Sequence, residues 1–157
     1  MNKTKLRSVD ILNAREGAQK QAMEQMLQIG DCPFCSENLK KYHKAPILKE
    51  GDFWVLTTNQ WPYPNTRLHF LFILKYHAET LAELDDAAMS ELGKLSQWLE
   101  KEYNIEGGGL IMRFGDTQYS GGTIPHLHAQ MIVPDIDAPN FEEKPVRARF
   151  GRSRTRS

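Results

Sequence analysis

The segment Ser120-Gly-Gly-Thr-Ile-Pro-His-Leu-His-Ala-Gln-Met-Ile-Val133 constrains this chain more than any other. His126, His128 and Gln130 alternate with Leu127, Ala129 and Met131. A period of two marks an extended strand, and it predicts that the three polar side chains project from one face. The Gly121-Gly122-Thr123 turn just before them can present backbone N–H groups to an anion. Two imidazoles and a carboxamide beside an anion cradle point to phosphate chemistry, because imidazole is the usual nucleophile, base or metal ligand near neutral pH. The bland alternative is a wet strand that happens to be rich in histidine. It must place two of only five histidines at i and i+2 by chance.

A length of 157 residues suits one domain with a real core, and 40% apolar with 25% charged residues is an ordinary globular composition. No apolar run reaches the length of a membrane span, and Met-Asn-Lys-Thr-Lys lacks the apolar core of a signal peptide. The expectation is a cytoplasmic protein with no membrane partner. Net charge is zero but unevenly spread. Residues 144–157 carry Lys144, Arg147, Arg149, Arg152, Arg154 and Arg156 and no acid, which leaves an acidic body. Such an end reads as a disordered, solvated tail, with contact to nucleic acid as a less favoured alternative.

Cys32-Pro-Phe-Cys35 holds both cysteines. In a reducing compartment the pair is a redox couple, half of a metal site, or two bystanders. Zinc closes a tetrahedron of N and S ligands, so two thiolates need two histidines from elsewhere, with His43, His69, His77 and His126 as candidates. A thioredoxin-like motif wants a strand before its first cysteine, whereas the apolar stretch here has helical spacing, so the redox reading falls behind.

Periodicity predicts a helix over 8–29, capped by Ser8, striped by Val9, Leu12, Met23, Met26 and Leu27, and stopped by Gly30. A polar stretch runs through Lys44. Strands follow at 53–57 and 69–75, separated by a Pro- and Asn-rich loop over 59–66. Leu81, Leu84, Leu92, Leu95, Trp98 and Leu99 predict a helix over 80–103. Gly107-Gly108-Gly109 then precedes a strand at 110–114, and the histidine strand ends at Pro134. Strands joined by a long helix suit an α+β domain with a mostly antiparallel sheet. His69 reads as a core histidine bonded to a carbonyl, with a secondary part in ordering the site. His43, among lysines, reads as exposed. Trp54, Trp61 and Trp98 read as core, Trp61 being the one to watch because it lies in the Pro-rich loop.

On Cys-Pro-Phe-Cys, on His69-Phe-Leu-Phe-Ile-Leu-Lys-Tyr-His77 followed by a Leu-rich helix, and on Gly-Gly-Thr-Ile-Pro-His-Leu-His-Ala-Gln, the chain resembles the histidine-triad (HIT) superfamily of nucleotidyl hydrolases and transferases. The resemblance covers about Cys32 to Pro134. It implies a HIT-like fold, with a five-stranded sheet, packed helices and an extra N-terminal helix. The corresponding units are an N-terminal helical extension over 1–30, a HIT domain over 31–143 and the basic tail over 144–157. A homodimer is implied too. The hydrolase branches end the motif in His-x-His-x-His, whereas Gln130 takes the third place here. That resembles the branch of galactose-1-phosphate uridylyltransferase and the diadenosine-polyphosphate phosphorylases, although those enzymes carry two such halves.

The resemblance implies that His128 attacks the α-phosphorus of a nucleotide, dinucleoside polyphosphate or nucleotide sugar. Gln130 would assist it, and His126 would stand in the catalytic set as well as among metal ligands. Gly121, Gly122, Thr123, Gln118 and Asn59 would contact substrate. Structural zinc would be held by Cys32, Cys35, His77 and His126. Glutamine cannot titrate, so Gln130 favours leaving groups that need no proton, such as phosphate or pyrophosphate. Where the family often has Asn-Gly on the preceding strand, this chain reads Phe114-Gly115, with Arg113 nearby. Two other classes compete: a nucleotide-binding or sensing module without turnover, and a nucleic-acid end-processing protein.

Overall fold

β-branched and aromatic runs that alternate between two apolar environments produce the sheet. Its strands are β1 (Ile47–Glu50), β2 (Trp54–Thr58), β3 (Thr66–Leu74), β4 (Gly109–Arg113) and β5 (His128–Pro134). They form one sheet in the order β1-β2-β3-β5-β4, with every pairing antiparallel. The computed structural model describes residues 14–15 and 17–152. Its helices are α1 (Ala18–Ile29), α2 (Ser36–Tyr42), α3 (Asp86–Glu102) and the single turn α4 (Thr117–Ser120). No helix among the described residues is long and apolar enough to cross a membrane.

β3 lies between β2 and β5 and is covered on both faces. Phe70, Phe72 and Leu74 pack with Leu92, Leu95 and Leu99 of α3, together with Trp54, Leu56, Ala129 and Met131. The alternate residues Leu71 and Ile73 pack with Val55, Met23 and Met26 of α1, Leu39 of α2, and Phe34. Each fully buried Leu, Ile or Phe contributes roughly 2 kcal/mol. His69, His128 and Gln130 fall in register with the second set and so lie beneath α1 and α2.

Several boundaries differ from the sequence expectation for identifiable reasons. α1 begins at Ala18, after Gly17 with φ 93°, and Gly30 closes it in the left-handed region at φ 80° with its N–H on the Met26 carbonyl. The expected cap at Ser8 and the stripe residues Val9 and Leu12 lie outside the described residues. The helix expected over 80–103 is broken. Thr80 and Glu83 form a capping box around one 3-10 turn, Leu81–Glu83. Asp85 then caps α3 afresh by accepting from the Ala87 N–H. The polar stretch before Lys44 contains α2, which buries only Leu39 and therefore shows no stripe. Its ends suit the helix dipole, with Glu37 in the first turn and Lys40 and Lys41 in the last. β1 is an edge strand with little burial, so it lacks the alternation that would reveal it. The β1–β2 turn is held from outside: the Glu91 carboxylate of α3 accepts from the backbone N–H groups of Asp52, Phe53 and Trp54 at 2.7–2.9 Å.

Over its described part, residues 144–152, the basic end is largely exposed, yet its backbone is tied to the domain. The Asn65 side-chain amide donates to the Lys144 carbonyl at 2.8 Å, the Arg113 guanidinium to the Arg149 carbonyl at 3.0 Å, and the Arg152 N–H to the Gln118 carbonyl at 2.8 Å. Composition argued for disorder, but polar loops of the domain supply backbone partners that composition does not reveal.

Candidate active site and metal centre

His128 opens β5, and on either side of it lie Ile73 of β3 and Arg113 of β4. Its Nδ1–H donates to the His126 carbonyl oxygen at 2.7 Å. A carbonyl can only accept, so the proton resides on Nδ1 and the Nε2 lone pair is left for chemistry. Burial, opposed by that hydrogen bond and reinforced by the positive charge of Arg113, pushes the ring down to about 4. It is neutral, and therefore nucleophilic, at physiological pH. Phe34 meets it edge-on at 4.9 Å between ring centroids.

Gln130 sits one pleat further along β5 and is buried. The Tyr63 backbone N–H donates to His69 Nδ1 at 3.2 Å, which places the His69 proton on Nε2. Nε2–H in turn donates to Gln130 Oε1 at 2.7 Å. That bond fixes the carboxamide with its oxygen toward His69 and its NH₂ as the group left to donate. His69 is thus a core histidine as expected, and the carbonyl it serves is the side-chain one of Gln130. Burial pushes His69 down to about 4 from an ordinary 6.5, with Gln130 opposing and Arg15 and Arg113 adding to the drop.

The depressed His69 value has a consequence for stability. Between pH 6.5 and 4 the unfolded chain holds a proton on this residue that the folded chain refuses, so stability rises with pH across that window. The contribution is fully present above pH 6.5 and is lost as pH falls toward 4. The gap corresponds to roughly 3 kcal/mol. Buried His43, lowered for the same reason, acts in the same direction. Urea unfolding followed from pH 7.5 to 4.5 should show the midpoint falling throughout, with His69→Gln flattening the dependence. A flat wild-type profile would refute the assignment.

His128, Gln130 and His43 line a cavity of about 550 Å³, a size suited to a nucleotide-sized ligand. Met23 and Met26 of α1, Pro33, Phe34, Leu71 and Ile124 form apolar wall. Tyr42, His43, Asn59, Gln60 and Trp61 add polar edges, and Gly121, Gly122, Thr123, Arg113, His128 and Gln130 line it as well. The N-terminal helix therefore covers one sheet face and walls the cavity.

Of the expected substrate contacts, Thr123 and Asn59 are well placed. Thr123 has no hydrogen-bond partner among the described residues. Asn59 is oriented by its Oδ1, which accepts from the Trp61 N–H at 2.8 Å. The anion cradle is narrower than expected: the Gly121 N–H donates to the Thr117 carbonyl and the Gly122 N–H to Ser120 Oγ, closing the turn on itself. Gln118 is exposed on α4 and lies outside the cavity lining. His43 is buried rather than exposed, its Nε2–H donating to Thr57 Oγ1 at 2.7 Å. Trp54 is core as expected, and its Nε1–H donates to the Ala88 carbonyl. The residue that sequence reasoning undervalued is Arg113. Its only signal was a cation at the end of the strand preceding the motif, but register sets it directly opposite His128.

His126 departs from the single-face expectation. It precedes β5 in a turn closed by its own N–H on the Ile124 carbonyl, and its ring turns to the cysteines. Its Nε2–H donates to the Leu74 carbonyl at 2.7 Å, leaving Nδ1 at 3.4 Å from Cys32 Sγ, 3.8 Å from Cys35 Sγ and 3.2 Å from His77 Nδ1. With Nε2 held by Leu74 and Nδ1 facing the cysteines and His77, it does not line the cavity. His77 matches it: Nε2–H donates to the Glu79 carboxylate at 3.1 Å, and Nδ1 lies 3.4 Å from Cys35 Sγ.

Four ligand atoms, from Cys32, Cys35, His77 and His126, thus lie within 4.8 Å of one another. A zinc tetrahedron built from bonds of about 2.3 Å to sulfur and 2.0 Å to nitrogen has edges of roughly 3.3–3.8 Å. Four of the six separations, 3.2–3.8 Å, match those edges closely, and both imidazoles have the oriented far nitrogen that metal-ligating histidines show. Burial, then the neighbouring Cys32, push the Cys35 thiol up to about 12, so a second thiolate forms here only with a cation to neutralise it.

No protein-family model matches the chain, and no curated protein matches it. Solved structures do. A hypothetical histidine triad nucleotide-binding protein from Sulfolobus tokodaii is 22% identical, with 79% of this chain and 82% of that one covered at a TM-score of 0.53. A hypothetical protein from Leishmania major is 21% identical over 64% of this chain and 71% of that one, at 0.52. A HIT family hydrolase from Clostridium thermocellum is 21% identical over 64% and 87%, at 0.50. With its five-stranded antiparallel sheet and packed helices, this chain has the HIT-like fold.

Proposed function

We propose that the chain is a nucleotidyl transferase or hydrolase that works through a covalent nucleotidyl-histidine at His128. The observation that carries the reading is the locked imidazole: Nδ1–H held on the His126 carbonyl, and the ring lining a nucleotide-sized cavity. Two of the similar structures are named as a nucleotide-binding protein and as a hydrolase, in keeping with a nucleotide ligand.

In the first step Nε2 bonds to the α-phosphorus while the bond from phosphorus to the leaving oxygen breaks, and the leaving group departs with that electron pair. In the second, an anionic oxygen of phosphate or a sugar phosphate, or water that releases its proton to solvent, attacks phosphorus, and the P–N bond breaks with its electron pair returning to Nε2 to restore neutral His128. Splitting the displacement lets leaving group and acceptor use the same space in turn. The Gln130 NH₂, the Thr123 hydroxyl and the Arg113 guanidinium stabilise charge on the non-bridging oxygens. Gln130 offers no proton, so phosphoanhydrides are favoured over substrates with an amine leaving group, in keeping with the transferase branch. Cys32, Cys35, His77 and His126 would hold structural zinc, which supplies no bond to substrate and fixes the segment that presents His128. The open edge of β4, with Leu110 half-exposed upon it, is compatible with a homodimer.

Incubation with a dinucleoside polyphosphate or nucleotide sugar labelled at the α-phosphate tests the reading. The expected result is a protein adduct that is labile in acid, stable in alkali, and mapped to His128. Turnover without an adduct in rapid quench would point to direct attack by water. Tight binding without turnover would identify a binding module.

A further inference from the structure

The segment from Lys144 to Arg152 is a strap tied at both ends, and its first part walls the cavity. Asn65 holds the Lys144 carbonyl, Arg113 holds the Arg149 carbonyl, and Gln118 accepts from the Arg152 N–H. Its far end also packs on Gly121, where a Cβ would come within 2.9 Å of the Gly151 carbonyl oxygen. Gly121 has φ 70° as well, so that contact is reserved for glycine. Arg113 joins strap to catalytic strand, since it donates to both the Ser120 and Arg149 carbonyls while standing opposite His128.

Along the strap, Lys144, Arg147 and Arg149 line the cavity. All three are exposed, and their side chains have no acidic partner among the described residues. Not one of the described lining residues is Asp or Glu. Unopposed cations along a concave wall focus a positive potential into it. The single phosphoryl group undergoing transfer is already served by Gln130, Thr123 and Arg113, so three further cations exceed its need.

We propose that the strap is a polyphosphate subsite. Lys144, Arg147 and Arg149 bind the phosphate chain that extends beyond the phosphorus next to His128. The ligand class is then a free nucleotide with two or more additional phosphates. This rests on the phosphate-transfer reading of the cavity and adds a selectivity that the reading does not require.

Calorimetric titration of the full chain with adenosine and uridine monophosphates, and with the uncleavable α,β-methylene di- and triphosphates, tests the proposal. Affinity should rise by about tenfold for each added phosphate at low salt. In Arg147→Gln/Arg149→Gln the ratio of triphosphate-analogue to monophosphate affinity should collapse by about tenfold or more, while Arg147→Lys/Arg149→Lys keeps most of it. An unchanged ratio in the Gln variant, with nucleotide still bound, would overturn the subsite alone. Failure of every nucleotide to bind the wild type would overturn the reading beneath it as well. A ten-nucleotide single strand competing as well as the triphosphate analogue, and weakened equally by the Gln variant, would also refute a free-nucleotide subsite.

Discussion

Replacing His128 with glycine should reduce turnover of a phosphoanhydride substrate by on the order of 10⁴-fold or more while nucleotide affinity changes far less. The asymmetry follows from the division of labour in the cavity. Met23, Met26, Phe34 and Leu71 supply apolar contact, while Arg113 and Thr123 offer charge and a hydroxyl, and none of them needs the imidazole in order to hold a ligand. What disappears is the atom proposed to form the bond to phosphorus. The vacated space is bounded by the His126 carbonyl, which positions Nδ1–H in the intact protein. Free imidazole at high concentration should therefore restore part of the rate, whereas an equally basic amine of different shape should not. Steady-state rates with and without imidazole, alongside equilibrium binding, check this. A His128→Gly protein that turns over within tenfold of the wild type would remove the nucleophile from the mechanism.

Gln130 sharpens this argument and shows what a sequence can carry. The alternation of His128 and Gln130 about Ala129 is a local property, and the chain presents both on one face as the period of two requires. The orientation of Gln130 is not local. It depends on His69, sixty-one positions away on β3, and on a backbone N–H from the loop at Tyr63. His126 illustrates the opposite failure. Extrapolating the period backwards assigned it to the strand, but Pro125 and the turn onto Ile124 end the extended geometry two residues too early. Its place beside Cys32, Cys35 and His77 was legible only through the resemblance, because spacing alone left four candidate histidines. Arg113 and the strap escaped for another reason: each draws its meaning from register or from backbone partners supplied by distant loops. Charge density predicts the solvation of the strap's cations, which are exposed, but not the backbone partners that tie it to the domain.

If the Cys32, Cys35, His77 and His126 cluster holds zinc, removing it should cost the fold before it costs the chemistry. Cys32 and Cys35 lie on the α1–α2 turn, His77 follows β3, and His126 leads into β5, so one ion would join three stretches that the hydrophobic core leaves to loops. An ion present at about 1,000 times its dissociation constant stabilises the native state by about 4 kcal/mol. For a domain of this size each kcal/mol moves the thermal midpoint by roughly 2–4 °C, so chelation or Cys32→Ala/Cys35→Ala should lower it by about 10 °C. The purified protein should carry close to one zinc per chain, with the double variant carrying none. Activity should fail next, and through a definable route. His126 is held by Leu74 through one nitrogen and by the cluster through the other, and its carbonyl sets the His128 tautomer. Once the cluster loosens, His128 loses its fixed orientation, so kcat should fall with less change in KM. A zinc-free protein with an unchanged midpoint would show that the four atoms converge without forming a metal centre.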